Sequence, residues 1–116
     1  MTLTTDYRAF AKNIPISAQK TRLIVDMIRG KGVVEALDML KFSTPRAAEP
    51  VYKVVRSAMI NAEENFGVSR NNLYIHKIFA DEGRTRKWRR FGARGRFKPW
   101  LRRSCHITVI LRELEN

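Results

Sequence analysis

No Asp or Glu occurs between Gly83 and Arg112, a stretch of thirty residues that holds eleven Arg or Lys. The other 86 residues carry 12 basic and 11 acidic side chains, so nearly all of the net charge of +12 is confined to about a quarter of the chain. Like charges held together in this way disfavour compaction unless an external polyanion neutralises them. Other absences narrow the class. The single cysteine, Cys105, allows no internal disulfide, which points to a reducing cytoplasm. No run approaches eighteen apolar residues, which excludes a transmembrane helix. Met1 to Lys12 lacks the apolar stretch of a secretory signal and carries Asp6, unlike an acid-poor transit peptide. The basic stretch has neither a lipid signal nor the periodicity of a membrane-surface helix.

Catalytic and metal-binding patterns are equally scarce. The only histidines, His76 and His106, have no Cys or carboxylate motif at ligand spacing, so neither a metal nor a cofactor is expected. No phosphate-binding glycine loop is present. Cys105 and His106 are adjacent in a strand-like segment, where neighbours point to opposite faces, so they do not form a thiolate pair. Glu63 and Glu64 read as a solvated helix edge rather than a catalytic dyad.

What is present fits one domain over residues 1–116, with a body of 1–82 and 104–116 and a basic arm of about 83–103. Ser17 is placed to cap a first helix with an apolar stripe of Leu23, Ile24, Met27 and Ile28, stopped by Gly30. Val33, Ala36, Leu37 and Leu40 mark a short second helix. Thr44 before Pro45 predicts the opening of a third, with Ala47, Ala48, Val51, Val54, Val55, Ala58, Met59, Ala62 and Phe66 on one face and Gly67 at its end. Leu73 to Ala80, His106 to Leu111 and, more weakly, Tyr7 to Ile14 have strand composition. The order is β-α-α-α-β-β, an α+β fold of three helices packed on a small antiparallel sheet.

The segment Gly83 to Arg103 has no helical periodicity and is long for a structureless loop. If the flanking strands continue outward, ten residues a side give a long protruding β-hairpin of ~30 Å. Gly92, Ala93 and Gly95 suit a tight reversal at its tip. An isolated two-stranded hairpin is marginal in water, so its order is expected to come from RNA. Trp88, Phe91, Phe97 and Trp100 lie among the arginines, which fits pairing with phosphates and stacking on bases. A cross-strand pair of Trp88 with Trp100 is the structural alternative. A second basic group, Lys12, Ser17, Lys20 and Arg22, surrounds the start of the first helix. Lys20 there opposes the helix dipole, which a bound phosphate would reverse; a tolerated surface lysine is the plainer explanation.

The run from Ile16 to Lys31 resembles the opening motif of the large-ribosomal-subunit protein twenty-two family. Ser57-Ala58 with Asn61-Ala62-Glu63, Asp81-Glu82-Gly83, Ala93-Arg94-Gly95-Arg96 and Arg103 to Val109 extend the resemblance, in order, over essentially the whole chain. It implies a structural constituent of the large subunit that binds 23S-type rRNA, bridges rRNA domains during assembly and contacts neighbouring ribosomal proteins. It further implies that the hairpin helps line the nascent-peptide exit tunnel, with Arg90, Phe91, Gly92, Ala93, Arg94 and Gly95 at its tip near the growing polypeptide. The RNA-binding residues expected on this basis are Lys12, Ser17, Lys20, Arg22, Lys31, Arg84, Arg86, Lys87, Trp88, Arg89, Arg90, Arg94, Arg96, Lys98, Arg102 and Arg103. Arg84 departs from the proline common after the Asp-Glu-Gly motif, and Trp88 from a frequent basic residue. Neither a membrane, nor DNA, nor a second copy of the chain is expected as partner. An architectural DNA-binding protein with a basic arm is the competing class, although no helix concentrates basic residues as a recognition helix does.

Overall fold

A computed structural model describes residues 5–91 and 97–114, the side chains of 86–91 and 97–101 apart. The elements run β1 (Tyr7–Ile14), α1 (Ala18–Ile28), α2 (Val33–Lys41), α3 (Ala48–Phe66), a 3-10 turn (Arg70–Asn72), β2 (Leu73–Glu82), β3 (Arg86–Phe91), β4 (Phe97–Arg102) and β5 (Cys105–Glu113). β1, β5 and β2 form an antiparallel sheet in that order, and β3 with β4 a separate two-stranded one. The expected α+β arrangement with a protruding hairpin is therefore present. A long axis of 67 Å against 28 and 21 Å reflects the protrusion. So does a radius of gyration of 17.5 Å, where a compact chain of this size has about 13 Å.

Strand alternation makes one face of the three-stranded sheet the floor of the core. Opposed residues across the strands share a side, giving the rows Tyr7–Leu111–Ile75, Ala9–Val109–Ile78 and Ala11–Ile107–Ala80. The helices lie on this face. α3 contributes Val51, Val54, Val55, Ala58, Met59 and Ala62, all buried. Its left-handed stop at Gly67 (φ +66°) closes the helix with Gly67 N–H on Glu63 O at 3.0 Å.

Three expectations are corrected. α1 buries Thr21, Ile24, Val25 and Ile28 rather than Leu23 and Met27. Leu23 is 71% exposed. The buried stripe is itself spaced i, i+3, i+4, i+7, but its first member is a threonine, whose hydroxyl donates to Ser17 O at 3.1 Å. Phe66 is 58% exposed at the last turn of α3, its ring edge-on to Tyr7 at 5.0 Å. Pro45 begins a turn, with Ala48 N–H on Pro45 O at 3.0 Å, and α3 starts only at Ala48. Pro50 is tolerated in that first turn because its missing N–H would have no helical partner there.

The outer edge of β2 is bonded at several points by α1 and the turn after it. Arg22 Nε donates to Ala80 O at 3.0 Å and Arg29 Nη2 to Ile78 O at 2.9 Å. Gly30 N–H donates to Ile75 O at 3.2 Å, and Ile75 N–H to Lys31 O at 2.9 Å. Gly30 reaches this geometry at φ +80°. At the opposite margin, β1 is broken by a bulge between Ala11 and Ile14, with Asn13 at φ +59°.

Candidate nucleic-acid interface

The hairpin is rooted in a small set of contacts. Gly83 N–H donates to Ser104 O at 2.9 Å, and Ser104 Oγ donates to Arg84 O at 2.8 Å. His106, one residue into β5, accepts from Asn13 N–H through Nδ1 at 3.1 Å. A Cβ on residue 83 would sit 2.6 Å from Ser104 Oγ and 3.2 Å from the His106 ring. Glycine is therefore a packing requirement where the chain leaves the body.

Beyond the root, the register sets Arg86 opposite Arg102, Lys87 opposite Leu101, Trp88 opposite Trp100, Arg89 opposite Pro99, Arg90 opposite Lys98 and Phe91 opposite Phe97. Trp88 and Trp100 thus occupy paired positions, as the cross-strand alternative required. Like charges at opposing positions destabilise a sheet pair, so the Arg90 and Lys98 positions favour an anion nearby. The tip residues Gly92, Ala93, Arg94, Gly95 and Arg96 lie outside the described residues.

A cleft of about 1170 Å³ connects the hairpin root with the start of α1. Lys20 and Arg22 meet Arg102 and Arg103 there, and Ser17, Gly83, Thr85 and Ser104 are also on the lining. Members of the two basic groups, separate in sequence, thus share one cleft. Arg46 joins them from the turn before α3, a residue that local spacing gave no reason to select. Glu82 is also on the lining. Ser17 caps α1 weakly, accepting from Lys20 N–H at 3.4 Å, and no acidic residue occupies the first turn. A phosphate in the cleft would meet free helix N–H groups and basic side chains together. Arg22 also holds α1 to β2, which gives it a structural duty.

The remaining expected residues are dispersed. Arg84 is exposed at the root. Lys12 lies exposed on β1. Lys31 lies at the far end of α1, with Nζ 3.9 Å from Glu35. On the sheet's inner side, Cys105 is buried with Sγ 3.4 Å from Thr21 Oγ1, while His106 faces the other way. Among the described residues no cluster of three His, Cys, Asp or Glu could hold a metal ion, and no helix is long and apolar enough to cross a membrane.

Comparison with known proteins gives a consistent result. The family described as "Ribosomal protein L22p/L17e" matches residues 9–112. "Large ribosomal subunit protein uL22" of Pediococcus pentosaceus is 50% identical over 110 residues, covering 94% of this chain and 92% of that protein. The protein of the same name from Lactobacillus delbrueckii subsp. bulgaricus is 46% identical over 94% of this chain and 93% of its own length. That from Dehalococcoides mccartyi is 49% identical over 91% and 97%, respectively.

Proposed function

The chain belongs to the ribosomal protein L22p/L17e family, and from that premise we propose that its acid-free hairpin and the α1 cleft form one rRNA-binding surface. As a member of that family it is a structural constituent of the large ribosomal subunit rather than an enzyme. It binds rRNA, bridges rRNA domains during assembly and contributes its hairpin to the wall of the peptide exit tunnel. The observation that carries the binding surface is the thirty-residue block without a carboxylate, the larger part of which forms the hairpin that protrudes from a near-neutral body.

The finer reading assigns roles by position. Arg86, Lys87, Arg89, Arg90 and Lys98 along the strands, with Arg94 and Arg96 near the tip, neutralise phosphates of 23S-type rRNA. Trp88 is the stacking candidate. Lys20, Arg22, Arg102 and Arg103, with Ser17 and Arg46, receive a backbone segment where the hairpin meets the body; Arg84, Lys12 and Lys31 contact RNA at the periphery. The tip from Arg90 to Gly95 faces the nascent polypeptide, with neighbouring ribosomal proteins around the body. The setting is the cytoplasmic ribosome.

Affinity for a structured rRNA fragment should fall steeply with salt, because each neutralised phosphate releases counterions. Changing Arg89→Gln together with Arg90→Gln should flatten the log–log slope by roughly one to two units. An unchanged slope would mean that these two do not touch backbone. Equal affinity for duplex DNA at matched salt would overturn the RNA assignment.

A further inference from the structure

The three-stranded sheet has a second face, which the helices leave uncovered. Its register aligns Phe10, Thr108 and Phe79 in one row across β1, β5 and β2. Phe10 is 62% exposed and Phe79 39% exposed, and two strand spacings separate their backbones by about 10 Å. Thr108 forms a low, half-buried floor between the rings. The adjacent row is Arg8, Ile110 and Lys77, with both cations exposed. Lys12 is exposed two residues beyond Phe10.

Carboxylates do little to offset this charge. Asp6 is taken by Arg112 at 2.6 Å and lies 3.8 Å from Arg8. Asp81 stands opposite His106 at the other end of the face. Lys77 makes no ion pair among the described residues. Charge complementarity selects a partner with flat apolar faces linked by anions. Unpaired nucleotides have both, since every base has a π-face and each linkage a phosphate. Exposed aromatics on an open sheet are a recurring platform for single-stranded RNA.

We propose that this open face is a second RNA-binding surface, on which Phe10 and Phe79 each stack an unpaired base while Arg8, Lys12 and Lys77 hold the flanking phosphates. It rests on the reading of the chain as an rRNA-binding protein but uses neither the hairpin nor the α1 cleft. Single-stranded segments such as loops or bulges, not duplex, are its ligand.

The test uses the full chain with two probes, an unstructured ten-nucleotide RNA and an RNA duplex with the same number of phosphates. NMR titration of the wild-type protein should move the Phe10 and Phe79 ring resonances with the single strand and leave them in place with the duplex. Phe10→Ala and Phe79→Ala should each weaken single-strand binding about five-fold or more, with the salt slope unchanged. Arg8→Gln with Lys77→Gln should instead flatten that slope by about one unit. Phe42→Ala, at a ring 80% exposed on another surface, should have no effect. Stationary rings, or a Phe10→Ala/Phe79→Ala double variant that binds within two-fold of wild type, would overturn the proposal. Rings that move only with extracted large-subunit proteins would overturn it too, making the face a protein-docking surface. Failure of the Arg89→Gln/Arg90→Gln variant to weaken duplex binding would count against the hairpin reading alone.

Discussion

Replacing Gly83 by Ala tests how the hairpin is joined to the body. The new Cβ would lie 2.6 Å from Ser104 Oγ, 3.2 Å from His106 Cε1 and 3.3 Å from His106 Nε2. The serine hydroxyl can rotate away, but it then gives up its bond to Arg84 O, worth about 0.5–1.5 kcal/mol. The imidazole has less room, because Asn13 N–H holds its Nδ1 at 3.1 Å. Overpacking of this kind costs about 1–3 kcal/mol, and the stiffer unfolded chain offsets up to about 1 kcal/mol of it. The net expectation is a loss of about 1–2 kcal/mol, or a fall in Tm of roughly 4–8 °C at about 4 °C per kcal/mol. Thermal and urea denaturation of the full chain measure it, alongside Ser104→Ala and the double variant. With the hydroxyl gone the main clash is gone, so the two changes should be sub-additive by about 1 kcal/mol. Wild-type melting of Gly83→Ala, or strict additivity in the double variant, would refute the packing account.

The Arg112 guanidinium bonded to Asp6 lowers that carboxyl below its ordinary value, against a smaller opposing effect of burial. Its stabilising contribution is therefore present above about pH 4, the unfolded value, and is lost as pH falls through the lower folded value. Asp6→Asn should lower the urea midpoint at pH 7 and give a flatter profile below about pH 4; parallel profiles for the two proteins would refute this. Ile107→Ala, at a fully buried position between Ala11 and Ala80, should cost about 2–5 kcal/mol. Equilibrium denaturation reads that loss directly, and a cost under 1 kcal/mol would mean that the row collapses around the cavity.

Much of the body was legible because its signals are local. Gly67 stops α3 where a left-handed residue is needed, whereas α1 ends at an extended Arg29 and Gly30 takes its positive φ in the turn beyond; the strand from Tyr7 to Ile14 has the expected ends. At the hairpin side β2 runs two residues further, to Glu82, and β5 begins one residue earlier, at Cys105, because sheet pairing there outlasts the apolar composition. The error in α1 had a chemical source: Thr21 is buried by satisfying its hydroxyl on Ser17 O and lying beside Cys105, which hydropathy does not register. Features that need distant residues to meet left no local trace. Arg46 reaches the cleft only through the turn before α3, and the reason for Gly83 lies in Ser104 and His106, more than twenty residues on. The Asp-Glu-Gly motif was visible; its steric cause was not.

A protein destined for an RNA assembly first exists alone, and a bare sheet margin is then a template for a neighbour's strand. Here one margin has Arg22, Arg29, Gly30 and Lys31 bonded along it, and the other is kinked at Asn13. The same helix that helps to line the basic cleft thereby acts as a guard against self-association. Solubility before assembly and grip within it are two offices of α1, so substitutions at Arg22 should trouble the storage of the free protein as well as its hold on RNA.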